Sequence, residues 1–122
     1  MLDGEGSLQM SNILPIVAEK KPVNFTIVCL DNGTRGSTGD QLASYADMDL
    51  MAMGAGVENI VVVHRTEELR YALERLYDDF GPRFLHVMVK PGNVPAVPNI
   101  KLTPEQIKGR FMKAMSGKFC CI

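Results

Sequence analysis

Two short glycine-bearing segments each carry one side-chain oxygen group that could hold a hard cation. In residues 4–7 Glu5 offers a carboxylate, and in residues 31–39 Asn32 offers an amide oxygen. Magnesium prefers oxygen ligands and is usually bound through few protein carboxylates together with phosphate oxygens. The glycines of both segments allow the backbone to approach a phosphate closely. Together, the two segments could therefore hold a diphosphate through a divalent metal ion.

Each segment taken alone has a simpler interpretation. Residues 4–7 could be the entry to a helix capped by Ser7, and Asn32-Gly33 could be an ordinary turn. A dinucleotide-binding loop is a poorer explanation, because Gln9 stands where the third glycine of G-x-G-x-x-G belongs. The case for a site therefore depends on the two segments occurring together.

The elements that must position these segments alternate between helices and strands. Continuous apolar and β-branched runs predict buried strands over residues 25–30, 60–64 and 84–89. Helical spacing predicts helices over residues 8–17, 42–53 and 66–80, the first of them kinked or ended by Pro15. The capping box of residues 103–106 predicts the start of a last helix. This order favours an α/β fold with a parallel sheet, whose ligands bind beyond the carboxyl ends of the strands. Residues 31–39 follow one such end.

Composition excludes several classes of function. The chain has 122 residues, 46% of them hydrophobic, and a formal net charge of −1. These numbers fit one α/β domain without a global field that would recruit nucleic acid or an anionic membrane. The apolar runs are too short for a membrane span, and no secretory signal opens the chain. Three cysteines without metal-ligand spacing favour a reducing compartment, so we predict a cytoplasmic protein.

Several other side chains that could do chemistry are predicted to have structural roles instead. The histidines His64 and His86 are expected to pack or to form ordinary hydrogen bonds. The methionines Met48, Met51 and Met53 are expected to fill the core. Four basic residues are expected to form a solvated helix face: Lys108, Arg110, Lys113 and Lys118. Arg35 lies in the candidate loop and could either meet an acidic substrate or reach solvent.

The two segments resemble the cofactor motif of thiamine diphosphate enzymes, in which Gly-Asp-Gly is followed by Asn some two dozen residues later. Here Gly4-Glu5-Gly6 is followed by Asn32. Longer strings are similar to the sulfopyruvate and phosphonopyruvate decarboxylase group, and most of all to the β-subunit type: residues 3–8, 30–33, 36–39, 84–87, 89–93, 102–105 and 110–112. The resemblance extends over nearly the whole chain. It implies that residues 1–122 form a single, partial thiamine diphosphate-binding domain with a three-layer parallel sheet.

The same resemblance implies a set of site residues. The Mg²⁺ ligands would be Glu5, Asn32 and the backbone carbonyl of Thr34. Thiamine diphosphate would be bordered by Gly4, Gly6, Ser7, Asn32 and Gly36. Glu5 stands where the family has aspartate, and its extra methylene shifts the ligating oxygens. No residue of the chain is assigned a catalytic role.

The resemblance also carries expectations about the rest of the enzyme. In the family a strand and further elements precede Gly-Asp-Gly, whereas only Met1, Leu2 and Asp3 precede Gly4 here. We therefore expect an N-terminally truncated domain or a late-assigned start, with no strand to hold the Glu5 loop. The family activates the cofactor's pyrimidine with a glutamate from another domain or subunit. We therefore expect a pyrimidine-binding partner and assembly as a dimer or hetero-oligomer. We also expect the chain alone to be inactive.

Three functions stay open on the sequence. The favoured one is a component of a thiamine diphosphate- and Mg²⁺-dependent decarboxylase of small 2-oxo acids, of the sulfopyruvate type and thus a step in coenzyme M synthesis. A phosphonopyruvate-directed relative is the second. A non-catalytic fragment, or a module that binds a protein partner, is the third.

Overall fold

The centre of the molecule is a parallel sheet of four strands, in the spatial order Leu2–Gly4, Thr26–Asp31, Arg83–Met88 and Asn59–Val63. The computed structural model describes residues 1–92 and 100–116. The strands of this sheet are β1 (Leu2–Gly4), β2 (Thr26–Asp31), β5 (Asn59–Val63) and β6 (Arg83–Met88). Strands β3 (Thr34–Arg35) and β4 (Gln41–Leu42) form a separate antiparallel hairpin around a 3₁₀ turn at Gly36–Thr38. The three sequence-predicted strands are confirmed, and they pair in parallel.

Helices cover both faces of the sheet. The helices that do so are α1 (Glu5–Gln9), α2 (Ile13–Lys20), α3 (Met48–Ala55) and α4 (Thr66–Tyr77), whereas α5 (Pro104–Ser116) has no buried residue. One core cluster joins the sheet to α1, α2 and α3, and it includes Leu8, Leu14, Ile27, Met48 and Phe84. A second cluster joins the opposite face to α4, and it consists of Val63, Ala72, Leu76, Leu85 and Val87. The predicted three-layer α/β architecture is thus confirmed.

The segment before Glu5 forms a strand, contrary to the expectation that nothing would hold it. Leu2 pairs with Val28 and Gly4 pairs with Leu30, both in parallel register. The amino terminus adds a hydrogen bond of 2.7 Å to the carbonyl of Thr26. Because β2 supplies a complete row of donors and acceptors, three residues suffice to extend the ladder. Glu5 therefore follows directly on a strand of the sheet.

The first helical segment is two helices, and its start and its break both differ from the prediction. The N-cap is Gly4 instead of Ser7, and the Asp3 carboxylate accepts hydrogen bonds from the Gly4 N–H (2.9 Å) and the Ser7 hydroxyl (3.1 Å). The break falls at residues 10–12, before Pro15. Pro15 occupies the first turn of α2, where the missing N–H has no intrahelical partner to lose.

Helix α3 begins at Met48, six residues after the predicted start at residue 42, because residues 41–42 pair with residues 34–35 in the hairpin. Met48 fills the core as expected, but Met51 and Met53 are 37% and 59% exposed. The fully buried residues of this helix are Met48 and Ala52, four residues apart on the face that meets the sheet, and Ala55 packs partly buried against the same core. The core assignment was therefore wrong for two of the three methionines.

The last two helices largely match the sequence patterns. Helix α4 ends at Tyr77, three residues before the predicted end. Helix α5 starts at the predicted capping box, where Thr103 and Gln106 exchange hydrogen bonds of 2.9 and 3.3 Å. Lys108, Arg110 and Lys113 are exposed as predicted, whereas Asn93, Lys118, Cys120 and Cys121 lie outside the described residues. No helix in residues 1–92 or 100–116 is long and apolar enough to cross a membrane.

Two glycines near the end of α3 should respond oppositely to alanine. Gly56 caps the helix with φ +101°, so Gly56→Ala should lower the free energy of unfolding by about 1–2 kcal/mol. Gly54 lies inside the helix with open space where a Cβ would be, so Gly54→Ala should raise it by about 0.5–1 kcal/mol. Urea denaturation of the two variants measures both effects, and equal changes would contradict the left-handed cap.

Candidate metal and diphosphate site

A cavity of about 480 Å³ opens at the carboxyl ends of β1, β2 and β6. Its wall contains every residue that the sequence analysis assigned to the metal or the diphosphate: Gly4, Glu5, Gly6, Ser7, Asn32, Thr34 and Gly36. Residues from the start of the chain and from the loop after β2 meet here because β1 and β2 are neighbours in the sheet. The fold thus brings the two glycine segments to one place.

Glu5 is the most unusual side chain of the cavity. It is only 3% exposed, and its Oε1 has no hydrogen-bond partner in residues 1–92 and 100–116. Burying an acceptor or a charge without a partner costs free energy of folding. A cation bound at this oxygen would remove that cost. The position of Glu5 therefore fits a metal ligand.

The Asn32 turn is closed by its own side chains. The Asn32 Oδ1 accepts hydrogen bonds from the N–H (2.9 Å) and the hydroxyl (3.3 Å) of Thr34. The Asp31 Oδ1 accepts one from the N–H of Gly33 (2.9 Å), whose φ of +68° suits glycine. Metal ligation by the Asn32 oxygen would replace or share one of the bonds from Thr34. The turn places that oxygen and Glu5 on the same cavity.

Carboxylates near the site produce a negative field at the Cys29 thiol. Burial and, in decreasing order, the carboxylates of Asp31, Glu5 and Asp3 together raise the pKa of this thiol to about 12. This thiol stays neutral at physiological pH, and the same field favours a bound cation. The described part of the chain holds no group of three or more His, Cys, Asp or Glu side chains arranged for a metal. One carboxylate with amide and carbonyl oxygens suits Mg²⁺, which keeps phosphate and water ligands, better than a transition metal.

Two cationic side chains line the same cavity, Arg35 and Lys90. Lys90 is exposed, whereas the Nε of Arg35 is buried and lacks a hydrogen-bond acceptor within the ranges described. The stem of Arg35 lies over Gly6, since a Cβ at Gly6 would be 3.6 Å from the Arg35 Cγ. The sequence left Arg35 open between ligand and solvent, and the structure places Arg35 among the residues that line the cavity.

The sequence analysis missed a group of three ionisable side chains beside the Asn32 turn. His86 is 4% exposed, and its ring nitrogens lie 2.9 Å from the Asp31 Oδ2 and 3.1 Å from the Asp49 Oδ1. The signal available in the sequence was one ionisable residue in the buried run of residues 84–89. The other histidine, His64, is exposed.

In open α/β sheets ligands bind at the carboxyl edge of the strands, which is where the glycine-lined cavity of this parallel sheet lies. Comparison with known proteins is more specific. Over 120 residues the chain is 39% identical to the sulfopyruvate decarboxylase subunit beta of Methanothermobacter thermautotrophicus, covering 96% of this chain and 62% of that subunit. It is 38% identical over 120 residues to the sulfopyruvate decarboxylase of Methanosarcina acetivorans, covering 95% of this chain and 31% of that enzyme.

A phosphonopyruvate decarboxylase of Streptomyces hygroscopicus is 32% identical over 114 residues, which are 91% of this chain and 28% of that enzyme. No protein-family model matches the chain. The sulfopyruvate and phosphonopyruvate decarboxylases are homologues of this chain, and the resemblance predicted from its motifs is confirmed. The chain spans less than two thirds of the length of each of these relatives.

Proposed function

We propose that the chain is the metal- and diphosphate-binding component of a thiamine diphosphate-dependent 2-oxo acid decarboxylase of the sulfopyruvate type. The observation that carries the proposal is the buried Oε1 of Glu5, which has no hydrogen-bond partner among the described residues, on the same cavity as the Asn32 turn. The homologues support the reaction class, since they are named as decarboxylases of two substituted pyruvates. The identity of 38% and 39% to two sulfopyruvate enzymes, against 32% and 31% to the phosphonopyruvate enzymes, favours that substrate and, with it, a role in coenzyme M synthesis.

The proposed roles follow from the chemistry of the side chains. Glu5, the Asn32 side chain and the Thr34 carbonyl hold Mg²⁺, which in turn holds the diphosphate. The diphosphate is bordered by Gly4, Gly6, Ser7 and Gly36. Thiamine diphosphate, when bound, supplies the carbanion chemistry, and this chain binds and orients it.

We also propose that the working enzyme contains a second, pyrimidine-binding domain or subunit. Two of the homologues most similar to the chain are named as a subunit beta, which supports a partner subunit. The cofactor of this family lies between such domains, so a dimer or hetero-oligomer completes the site. The chain alone is then expected to bind the diphosphate end of the cofactor but not to decarboxylate a 2-oxo acid.

Titration of the ¹⁵N-labelled chain tests the binding role directly, because NMR detects even weak complexes. Mg²⁺ with thiamine diphosphate should shift the amide signals of Gly4, Gly6 and Gly36 saturably. Omitting Mg²⁺, or replacing the cofactor by thiamine without phosphates, should leave these signals in place. Shifts that are equal with thiamine alone, or no shifts at all, would refute a metal-diphosphate site.

Turnover by the complex with the pyrimidine-binding subunit tests the reaction. We expect release of CO₂ from sulfopyruvate to exceed that from phosphonopyruvate at equal concentration. The reverse order would assign the chain to the phosphonopyruvate type. Cofactor binding without turnover of either acid would leave a diphosphate-binding module that is not a decarboxylase of these substrates.

A further inference from the structure

The buried histidine beside the Asn32 turn joins three separate elements. His86 lies in β6, Asp49 in the first turn of α3, and Asp31 at the end of β2. The Asp31 Oδ2 contacts the His86 Nε2 at 2.9 Å, and the Asp49 Oδ1 contacts the His86 Nδ1 at 3.1 Å. The side chains of His86, Asp31 and Asp49 are 5%, 13% and 27% exposed. We call these three side chains the Asp31–His86–Asp49 bridge.

The bridge requires two protons. A carboxylate oxygen only accepts, and a neutral imidazole donates from one ring nitrogen only. Both contacts are hydrogen bonds when the ring is an imidazolium between two carboxylates, or when one carboxyl group keeps a proton and donates it to the ring. In either form the three groups carry a net charge of −1, and each ring nitrogen has a partner. A side chain with a single donor nitrogen in place of His86 cannot form hydrogen bonds with both carboxylates.

The bridge continues into the candidate site. The second oxygen of Asp31, Oδ1, accepts a hydrogen bond from the N–H of Gly33 at 2.9 Å. The Asp31 carboxylate therefore contacts both the buried His86 ring and the backbone of the turn. Asn32 lies between the two anchored residues, and its own oxygen caps Thr34. The orientation of the Asp31 carboxylate therefore controls the backbone that presents Asn32 and Thr34.

We propose that His86 is a positioning residue, which fixes the Asn32–Thr34 turn through Asp31 and so sets the geometry of the metal site. The inference rests on the proposed function, because it is the metal that the turn positions. Mg²⁺ demands near-ideal octahedral geometry at about 2.0–2.1 Å, whereas Ca²⁺ accepts irregular sites at about 2.3–2.6 Å. Loosening the turn should therefore weaken the Mg²⁺ complex more than the Ca²⁺ complex.

The test compares His86→Gln with His64→Gln, since the chain has two histidines and His64 is exposed. Affinity for thiamine diphosphate is measured by NMR titration of the full chain, once with Mg²⁺ and once with Ca²⁺. His86→Gln should weaken binding about tenfold with Mg²⁺ and at most about threefold with Ca²⁺. His64→Gln should change neither. Asp49→Asn, which keeps the size of the side chain, should shift the ratio of the two affinities in the same direction.

The outcomes separate the inference from the proposed function. Equal loss with both metals would show that His86 only supports the fold, and would overturn the positioning role. No binding by the wild-type chain with either metal would overturn the proposed metal-diphosphate site and the inference with it. The bridge itself can be observed independently by ¹⁵N NMR of the His64→Gln variant, in which His86 carries the one imidazole that is left. Its ¹⁵N correlations should show both ring nitrogens in hydrogen bonds, with the proton either on the ring or donated to it by a carboxyl group, and a solvent-exchanging ring would contradict the bridge.

Discussion

Glu5→Gln should abolish Mg²⁺-dependent binding of thiamine diphosphate and, at the same time, make the metal-free protein more stable. The substitution keeps the shape of the side chain but removes the charge that would ligate the metal. We expect the affinity to fall about 100-fold or more, because a buried ligand charge has no substitute in the cavity. The Glu5 Oε1 lies buried without a hydrogen-bond partner in the described ranges. Relief of its desolvation should raise the free energy of unfolding by about 1–3 kcal/mol.

The opposite signs of the two effects make this test specific. A residue that merely supports the fold would lose binding and stability together. Glu19→Gln is the matched control, because Glu19 is exposed and pairs with the adjacent Lys20 on the surface. It should change binding and stability little. NMR titration and thermal unfolding without metal measure both quantities, and lower stability of Glu5→Gln would show that the carboxylate has a structural role.

Glu5→Asp addresses the departure from the family motif. It keeps the charge and shortens the side chain by one methylene, so Mg²⁺ binding should survive, in contrast to Glu5→Gln. This pair of variants separates the need for a carboxylate from the need for its length.

The sequence predicted those parts of the fold that depend on local pattern. The runs around Ile27, Val61 and Leu85 are apolar and β-branched over enough residues to identify buried strands, and their order along the chain implies parallel pairing. Strand β1 was missed because three residues are too few to show the hydrophobic pattern of a strand. It exists because β2 offers an unpaired edge beside it.

The candidate site was predictable only as far as its residues lie in recognisable strings. The segments containing Glu5 and Asn32 were identified by their glycines and by their resemblance to a cofactor motif. The Asp31–His86–Asp49 bridge joins residues that are 37 and 55 positions apart, and such contacts arise from packing of β6 against β2 and α3. Likewise, the spacing of Met51 and Met53 could not show that α3 presents only one narrow face to the sheet.

Arg35 leads to the second prediction with a large effect. Its Nε is buried without an acceptor, and Glu5 Oε1 is buried without a donor, yet no ion pair joins the two residues in the part of the chain described. Both residues line the same cavity. A ligand that brings a cation to Glu5 and an anion to Arg35 satisfies both atoms, and a metal diphosphate has this combination of charges. The Arg35 stem lies against Gly6, with its Cγ 3.6 Å from the position that a Cβ would occupy.

Arg35→Gln should therefore weaken binding of Mg²⁺ and thiamine diphosphate about 10- to 100-fold, since a hydrogen bond to a charged group contributes about 1.5–3 kcal/mol. Arg35→Lys should recover only part of the affinity, because lysine keeps the charge but has no donor at the position of Nε. Lys90→Gln is the control, as Lys90 lines the same cavity but is exposed and screened by water. If Arg35→Gln binds the cofactor normally but loses turnover of sulfopyruvate in the complex with the pyrimidine-binding subunit, the buried N–H serves the acidic substrate instead. Unchanged binding and turnover would remove Arg35 from the site altogether.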